Sequence, residues 1–281
     1  IDVTDKHLFL GYRPLIIAAV FPEGCDAIAL VEGVTLDFVH EGSPLRSVRP
    51  KMRLAKLNLK RIRAKKIGGR EVIFYEGDYG AHCFINDFHQ HVNNFREKIR
   101  RETPNNVALP GNLYDQVRIA YSVPRIIKVV TVAEGGRMNM FPTDLHGACG
   151  NEFYLSSLRL GGKANKQVEH SGKLLLCSIA AEDYKATYGL GKNHMRDMRP
   201  FSDFGLMERT SSVFNIPIPP AALQYEELER LDSFDFGIHR IHIYRVVSSE
   251  RIRGGNTLAH IHQYYAQWRI DHDVPLNMLL R

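Results

Sequence analysis

The chain contains no apolar run near the ~20 residues a membrane-spanning helix requires. Its run Leu15–Phe21 is closed at once by Pro22, Glu23 and Gly24. The first residues, Ile1 to Lys6, lack the basic and apolar regions of a secretory signal, and the missing initial Met admits a processed start. Cysteine is scarce: Cys25, Cys83, Cys149 and Cys177 lie far apart and form no CxxC pair. That spacing argues against a structural zinc site and for reduced thiols in a cytoplasmic setting. No HExxH accompanies the thirteen histidines. His260 and His262 would share a strand face, but His89/His91 and His239/His242 diverge, so no metal is expected. A GxSxG elbow is missing, which leaves hydrolase chemistry without support. Acidic residues are absent from Arg46 to Arg70, a stretch rich in Arg and Lys. Aromatic rings are not interleaved there as nucleic-acid stacking would require, so a solvated hairpin face is expected. Nucleic acid is not the expected partner.

A net charge of +6 over 281 residues suits an anionic partner such as a nucleotide. The length permits one or two domains. Leu15–Phe21 reads as a buried strand. Leu57 and Leu59 alternate with polar residues, Gly68-Gly69 supplies a turn, and Glu71–Tyr75 returns as a hairpin partner. Phe88, Val92, Phe95 and Ile99 then recur at helical spacing, with Asn86 or Asp87 placed to cap the helix. The polar stretch from Glu102 to Gly111 breaks it. These features divide the chain into a β-rich accessory domain at 1–110, with one amphipathic helix, and a second domain at 111–281.

In the second part, strands are expected at Ile126–Val132, Glu152–Leu158, Lys173–Ile179, Ile238–Val247 and Tyr264–Ile270. Short helices are expected at Asn165–His170, Glu182–Tyr188 and Ala221–Leu231. The long helices of a doubly wound sheet are missing, so a mainly β fold, an antiparallel barrel with peripheral helices, fits better. Tyr12–Val20 also faintly echoes Tyr121–Val130. The echo is either a duplicated barrel half or two apolar strands that each follow a proline.

Four stretches carry the candidate chemistry. Lys128–Gly147 runs through a Gly135-Gly136 turn and presents Asn139 and Thr143 near Met138, Met140, Phe141 and Pro142. Phe153–Val168 brings Ser156, Ser157 and Arg159 on a strand, then Gly161-Gly162-Lys163 before a helix start that includes Asn165. This is no Walker A loop, since the earlier glycine is missing and Ala164 replaces Ser/Thr. It does combine backbone N–H groups, a helix N-terminus and a cation, a seat for phosphate. Lys173–Ile179 is a buried strand, and Phe236–Val247 carries His239.

The order of these motifs over about residues 120–270 resembles the flavin-reductase-like FMN-binding split barrels. The sequence departs from the family pattern at Ile238, where an acid is usual, and at Asn165, where Thr is common. The resemblance implies a split β-barrel holding FMN and a flavin reductase activity that takes hydride from NAD(P)H. It also implies a homodimer with the flavin at the subunit contact. Asn139 and Thr143 would meet the ribityl chain or ring edge, Phe141 the ring, and Ser156, Ser157, Arg159, Lys163 and Asn165 the phosphate end. His239 would lie beside flavin and nicotinamide, the catalytic candidate. A flavin-binding protein without turnover, and a basic nucleic-acid-associated module, stand as the alternatives.

Overall fold

A computed structural model describes residues 2–24, 31–39, 53–99, 107–205 and 209–274. Cys25, the basic residues Arg46, Arg49, Lys51, Arg100 and Arg101, and the helix-breaking stretch 102–106 lie outside the described residues.

The chain is mainly β. Its first sheet contains β1 (His7–Tyr12), β2 (Leu15–Pro22), β3 (Gly33–Val39), β4 (Arg53–Ile67) and β5 (Arg70–His82). Neighbours run in the order β1-β2-β5-β4-β3, all antiparallel. Two helices follow, α1 (Asp87–Ile99) and α2 (Leu113–Ala120). The second sheet draws on β7 (Lys128–Glu134), which follows the short β6 (Arg125–Ile126), then β8 (Arg137–Thr143), β9 (His146–Cys149) and β10 (Phe153–Arg159). After α3 (Lys163–Ser171) come β11 (Lys173–Ile179), α4 (Tyr184–Gly189), β12 (Arg199–Pro200), β13 (Ala222–Phe236) and β14 (His239–Arg251). The chain closes through β15 (Ala259–His260), paired with β6, and α5 (Gln263–Asp271).

The second sheet has the order β12-β8-β7-β11-β13-β14-β10-β9. It rolls about its own core: Val130 of β7, Phe141 of β8, Leu158 of β10 and Leu228 of β13 share one buried cluster with Val168 of α3. Lys128 of β7 reaches Glu226 of β13 at 2.8 Å and lies 5.1 Å from the ring centroid of Tyr154 on β10. Strands far apart in the sheet order therefore meet inside it. The buried ammonium keeps its charge because both oxygens of one carboxylate satisfy it.

β2 is buried along both faces. One face packs with Val117 and Ile119 of α2 and Tyr265 of α5. The other packs against Leu155, Ile241 and Ile243 of the second sheet. That double cover explains why Leu15–Phe21 is a continuous apolar run rather than an alternating one.

Two expectations fail in instructive ways. Ala221–Leu231 is not a helix but the start of β13; pairing with β11 and β14 on both sides overrides the helix preference of its Glu, Leu and Arg residues. Tyr264–Ile270 is not a strand but lies in α5, whose first turn is capped by the His262 ring nitrogen accepting from the Tyr264 N–H at 3.2 Å. α1 forms where expected, with the Asn86 side chain accepting from the His89 N–H at 2.9 Å. Its apolar stripe faces out, however: Phe88, Phe95 and Ile99 are 74%, 63% and 66% exposed. The inward face is polar, because Gln90 donates to the Ile85 and His82 carbonyls and Asn94 to the buried Asp115 carboxylate. Those buried acceptors need partners more than the stripe needs cover.

The basic stretch, where described, forms β4. Arg53 pairs with Asp37, Lys65 with Asp232 and Lys66 with Glu23.

Candidate functional site

Five elements converge on a cleft of about 440 Å³: the link from β8 to β9, the end of β10, the start of α3, the 190–195 segment and the first residue of β14. Tyr12 of the first sheet supplies another wall. A small-molecule or cofactor pocket typically falls in the range of about 300–1,000 Å³.

The α3 corner is built for negative charge. Gly162 caps α3 in an extended conformation, with no side chain capping the helix. The N–H groups of its first turn and the positive end of its dipole are thus left for a ligand. A Cβ at Gly162 would lie 3.2 Å from the Arg159 carbonyl and 3.4 Å from that of His194, so the backbones approach closely here. Arg159 lines the same corner, and Lys192 stands exposed at the rim. Two imidazoles, His194 and His239, also line the cleft. The His194 ring donates from Nε2 to the Pro142 carbonyl at 2.7 Å and packs 4.7 Å from the Phe141 ring. Burial lowers its pKa.

His239 is fully buried. Its Nδ1 lies 3.3 Å from the Ser157 hydroxyl, and the Tyr12 ring stands edge-on at 4.4 Å. Burial, with the nearby Arg159 charge, lowers its pKa to about 4, so the imidazole is neutral near pH 7. Its Nε2 is buried with no hydrogen-bond partner among the described residues. A buried polar atom in that state is a candidate contact for a ligand.

Of the residues singled out from the sequence, Thr143, Ser157, Arg159, Asn165 and His239 line the cleft. Asn165 is also anchored behind it, its side-chain oxygen accepting from His242 at 2.9 Å. Asn139, Phe141, Ser156 and Lys163 do not line it. Asn139 is buried and donates to Gln167 and to the Asn193 carbonyl, tying the 190–195 wall to β8. Phe141 is a core residue behind that wall. Ser156 points the opposite way from Ser157, into the second sheet's interior, and donates to the Tyr244 hydroxyl at 3.0 Å. Lys163 pairs with Asp197 on the exposed side of α3. Period-two alternation correctly put Ser157 and Arg159 on one face. The sequence reading missed Tyr12, Lys192 and His194. The glycines at 189 and 191, beside Lys192 and His194, were the signal available for the last two.

Among the described residues, no three His, Cys, Asp or Glu side chains converge as metal ligands. No helix there is long and apolar enough to cross a membrane.

No family model matches the sequence, and no curated protein matches it. Solved structures do, over about half of the chain. Among them is an FMN-binding protein from Thermus thermophilus with bound 1-cyclohex-2-enone, 20% identical, covering 54% of this chain and 78% of that one at a TM-score of 0.42. The NADH:FAD oxidoreductase SgcE6 of Streptomyces globisporus C-1027 is 14% identical over 54% and 91%, with a TM-score of 0.46. BorF, the flavin reductase component of a bacterial two-component tryptophan halogenase, is 18% identical over 53% and 93%, with a TM-score of 0.47.

Proposed function

We propose that the cleft binds FMN and that the protein is a flavin-dependent oxidoreductase taking electrons from NAD(P)H. The observation that carries this reading is the set of groups gathered in one cleft: a cation, an uncapped helix N-terminus and a neutral imidazole whose buried Nε2 has no partner among the described residues, beside apolar Pro142 and Leu145. FMN has matching groups: a phosphate carrying about −1.5 to −2 charges near neutral pH, and a flat, largely apolar ring with polar atoms along one edge.

In this arrangement Arg159 and the first N–H groups of α3 hold the phosphate. Thr143 and Ser157 hydrogen-bond the ribityl chain. Tyr12, Pro142, Leu145 and Met195 give the ring its apolar walls, and His239 Nε2 meets the ring edge. When bound, the flavin supplies the capacity to accept and pass on hydride. Free thiols at Cys83, Cys149 and Cys177 fit a reducing, cytoplasmic setting.

Tyr12 stands against His239, where an incoming nicotinamide would approach. That contact favours a second reading, flavin held without nicotinamide turnover. The purified chain is expected to carry, or to take up on adding FMN, the visible absorption of a bound flavin. NAD(P)H oxidation by the loaded protein then separates turnover from storage. A chain that stays colourless after FMN addition and gel filtration defeats both.

A further inference from the structure

The two sheets repeat one another. Read outward from matching edges, β1-β2-β5-β4-β3 has the same neighbours, the same antiparallel sense and the same chain order as β9-β10-β14-β13-β11. β4 and β5 have 15 and 13 residues, and so do β13 and β14. β3 and β11 each have 7. The irregularities match as well. The β4–β5 ladder shifts register at Asn58/Leu59 and Arg61/Arg63; the β13–β14 ladder shifts at Glu227/Leu228 and Arg230/Asp232, the same places along the strands. β3 slips against β4 at Phe38/Val39 and β11 against β13 at Ser178/Ile179, both at the last residue. Register shifts are specific local features, and three shared in place are poorly explained by chance.

The two copies also meet as a two-fold pair would. Arg63 of β4 lies over the Phe234 ring, and Lys65 pairs with Asp232. By strand position, Arg63 corresponds to Asp232 and Lys65 to Phe234, so each residue touches its counterpart's neighbour. The β1–β2 turn sits on the β13–β14 turn, where a Cβ at Gly237 would fall 2.3 Å from the Arg13 carbonyl. Reciprocally, the start of β10 sits on the β4–β5 turn, where a Cβ at Gly68 would fall 2.1 Å from the Phe153 ring. Such reciprocity is the mark of an isologous interface.

We infer that the strands β1 to β5 are a second, degenerate copy of the strands β9, β10, β11, β13 and β14 that stands where a partner subunit would stand. The chain thereby completes one cleft by itself, with Tyr12 as the donated wall. The mate of that cleft at the other end of the interface has lost its groups. The first residue of β14 is His239, and the first of β5 is Arg70. Arg159 ends β10, whereas Pro22 ends β2. Ser157 pairs with Ile241; its counterpart Val20 pairs with Val72. Tyr12 touches His239, while Gly150 occupies the equivalent turn beside Arg70. One site per chain follows. The echo between Tyr12–Val20 and Tyr121–Val130 thus sits in the wrong register, since β2 matches Phe153–Arg159.

The architecture needs no flavin; only the ligand used in the binding test rests on the proposed FMN reading. Full-length Tyr12→Ala and Arg159→Ala chains are titrated with FMN alone and after co-refolding together. Tyr12→Ala is expected to bind about tenfold more weakly than the unaltered chain, which itself binds one FMN per chain. The mixture is expected to show no high-affinity fraction. Wild-type affinity restored in part of the mixed sites, two FMN per chain, or unchanged affinity in Tyr12→Ala overturns the inference. A flavin-independent arm couples Lys65 to Asp232 by zero-length carbodiimide in a co-refolded mixture of ¹⁴N and ¹⁵N full chains. Same-isotope linked peptides support the inference, and mixed-isotope pairs overturn it. If the unaltered chain binds no FMN, the flavin reading fails alone and the crosslink decides.

Discussion

The two ends of the interface between the sheets have matching strands, yet they carry different side chains. At one end Tyr12, Ser157, Arg159 and His239 surround open space beside an uncapped helix. At the other, Gly150, Val20, Pro22 and Arg70 stand at the corresponding strand positions. The strand framework is equivalent, but α3 and the 190–195 segment that wall the cleft have no counterpart among the described residues at the other end, so segments between strands as well as side chains make the difference. Fold alone does not make a site; the groups placed on it do.

Acid should break the comparison most strongly, because the cleft end buries neutral imidazoles and the other end has Arg70 where His239 stands. His239 and His242 are fully buried, with pKa values lowered to about 4 and about 3, chiefly by burial. Their folded pKa values lie below the unfolded value of 6.5, so below pH 6.5 the unfolded chain binds more protons. Stability then falls as pH falls, toward the folded pKa values, by about 1.4 kcal/mol per histidine per pH unit. Urea unfolding from pH 7 to pH 4 should show this slope, and His239→Gln should reduce it. An unchanged slope in that variant removes His239 from the account.

The turns come next. Gly237 has φ +55, and its nearest neighbour is backbone, whereas the atom facing Gly68 belongs to a side chain that can move. Gly237→Val is expected to cost about 3 kcal/mol, more than Gly68→Val, from strain plus overpacking. Thermal melts check this, and equal losses would mean both contacts yield alike.

Within the cleft end, Arg159→Ala should weaken FMN binding by about 2 kcal/mol, roughly 30-fold, the worth of a charge-assisted bond. Lys163→Ala should change it less than about threefold, since that ammonium is held by Asp197 at the surface. Titration by flavin fluorescence ranks the two, and the reverse ranking would move the phosphate seat to the outer side of α3. The smallest effect belongs to the other end: Arg70→Ala should leave FMN affinity within about twofold of the unaltered chain. A larger loss there would reveal a second working site.

Parts of both sheets were legible because their strands carry local signals. Alternation put Leu57 and Leu59 inside, and the Gly68-Gly69 turn announced the hairpin. The same period-two rule aimed Ser157 and Arg159 together. Residue type misled for Asn139 and Lys163, which suit a ribityl or phosphate contact but whose side chains are claimed by Gln167 and Asp197. Tyr12 had no local signal at all, since nothing near residue 12 tells of a histidine at 239.

By itself, the sequence determined where several strands and turns fall, such as β2, the β4–β5 hairpin and β11, because apolar period and glycine placement act over a few residues. It also determined that a cation and a helix start follow β10. Only the tertiary structure decided that β13 is a strand, that the stripe of α1 faces outward, and that two weakly similar halves stack with their turns interlocked. Those outcomes depend on partners remote in the chain, whose hydrogen bonds and buried area outweigh local preference.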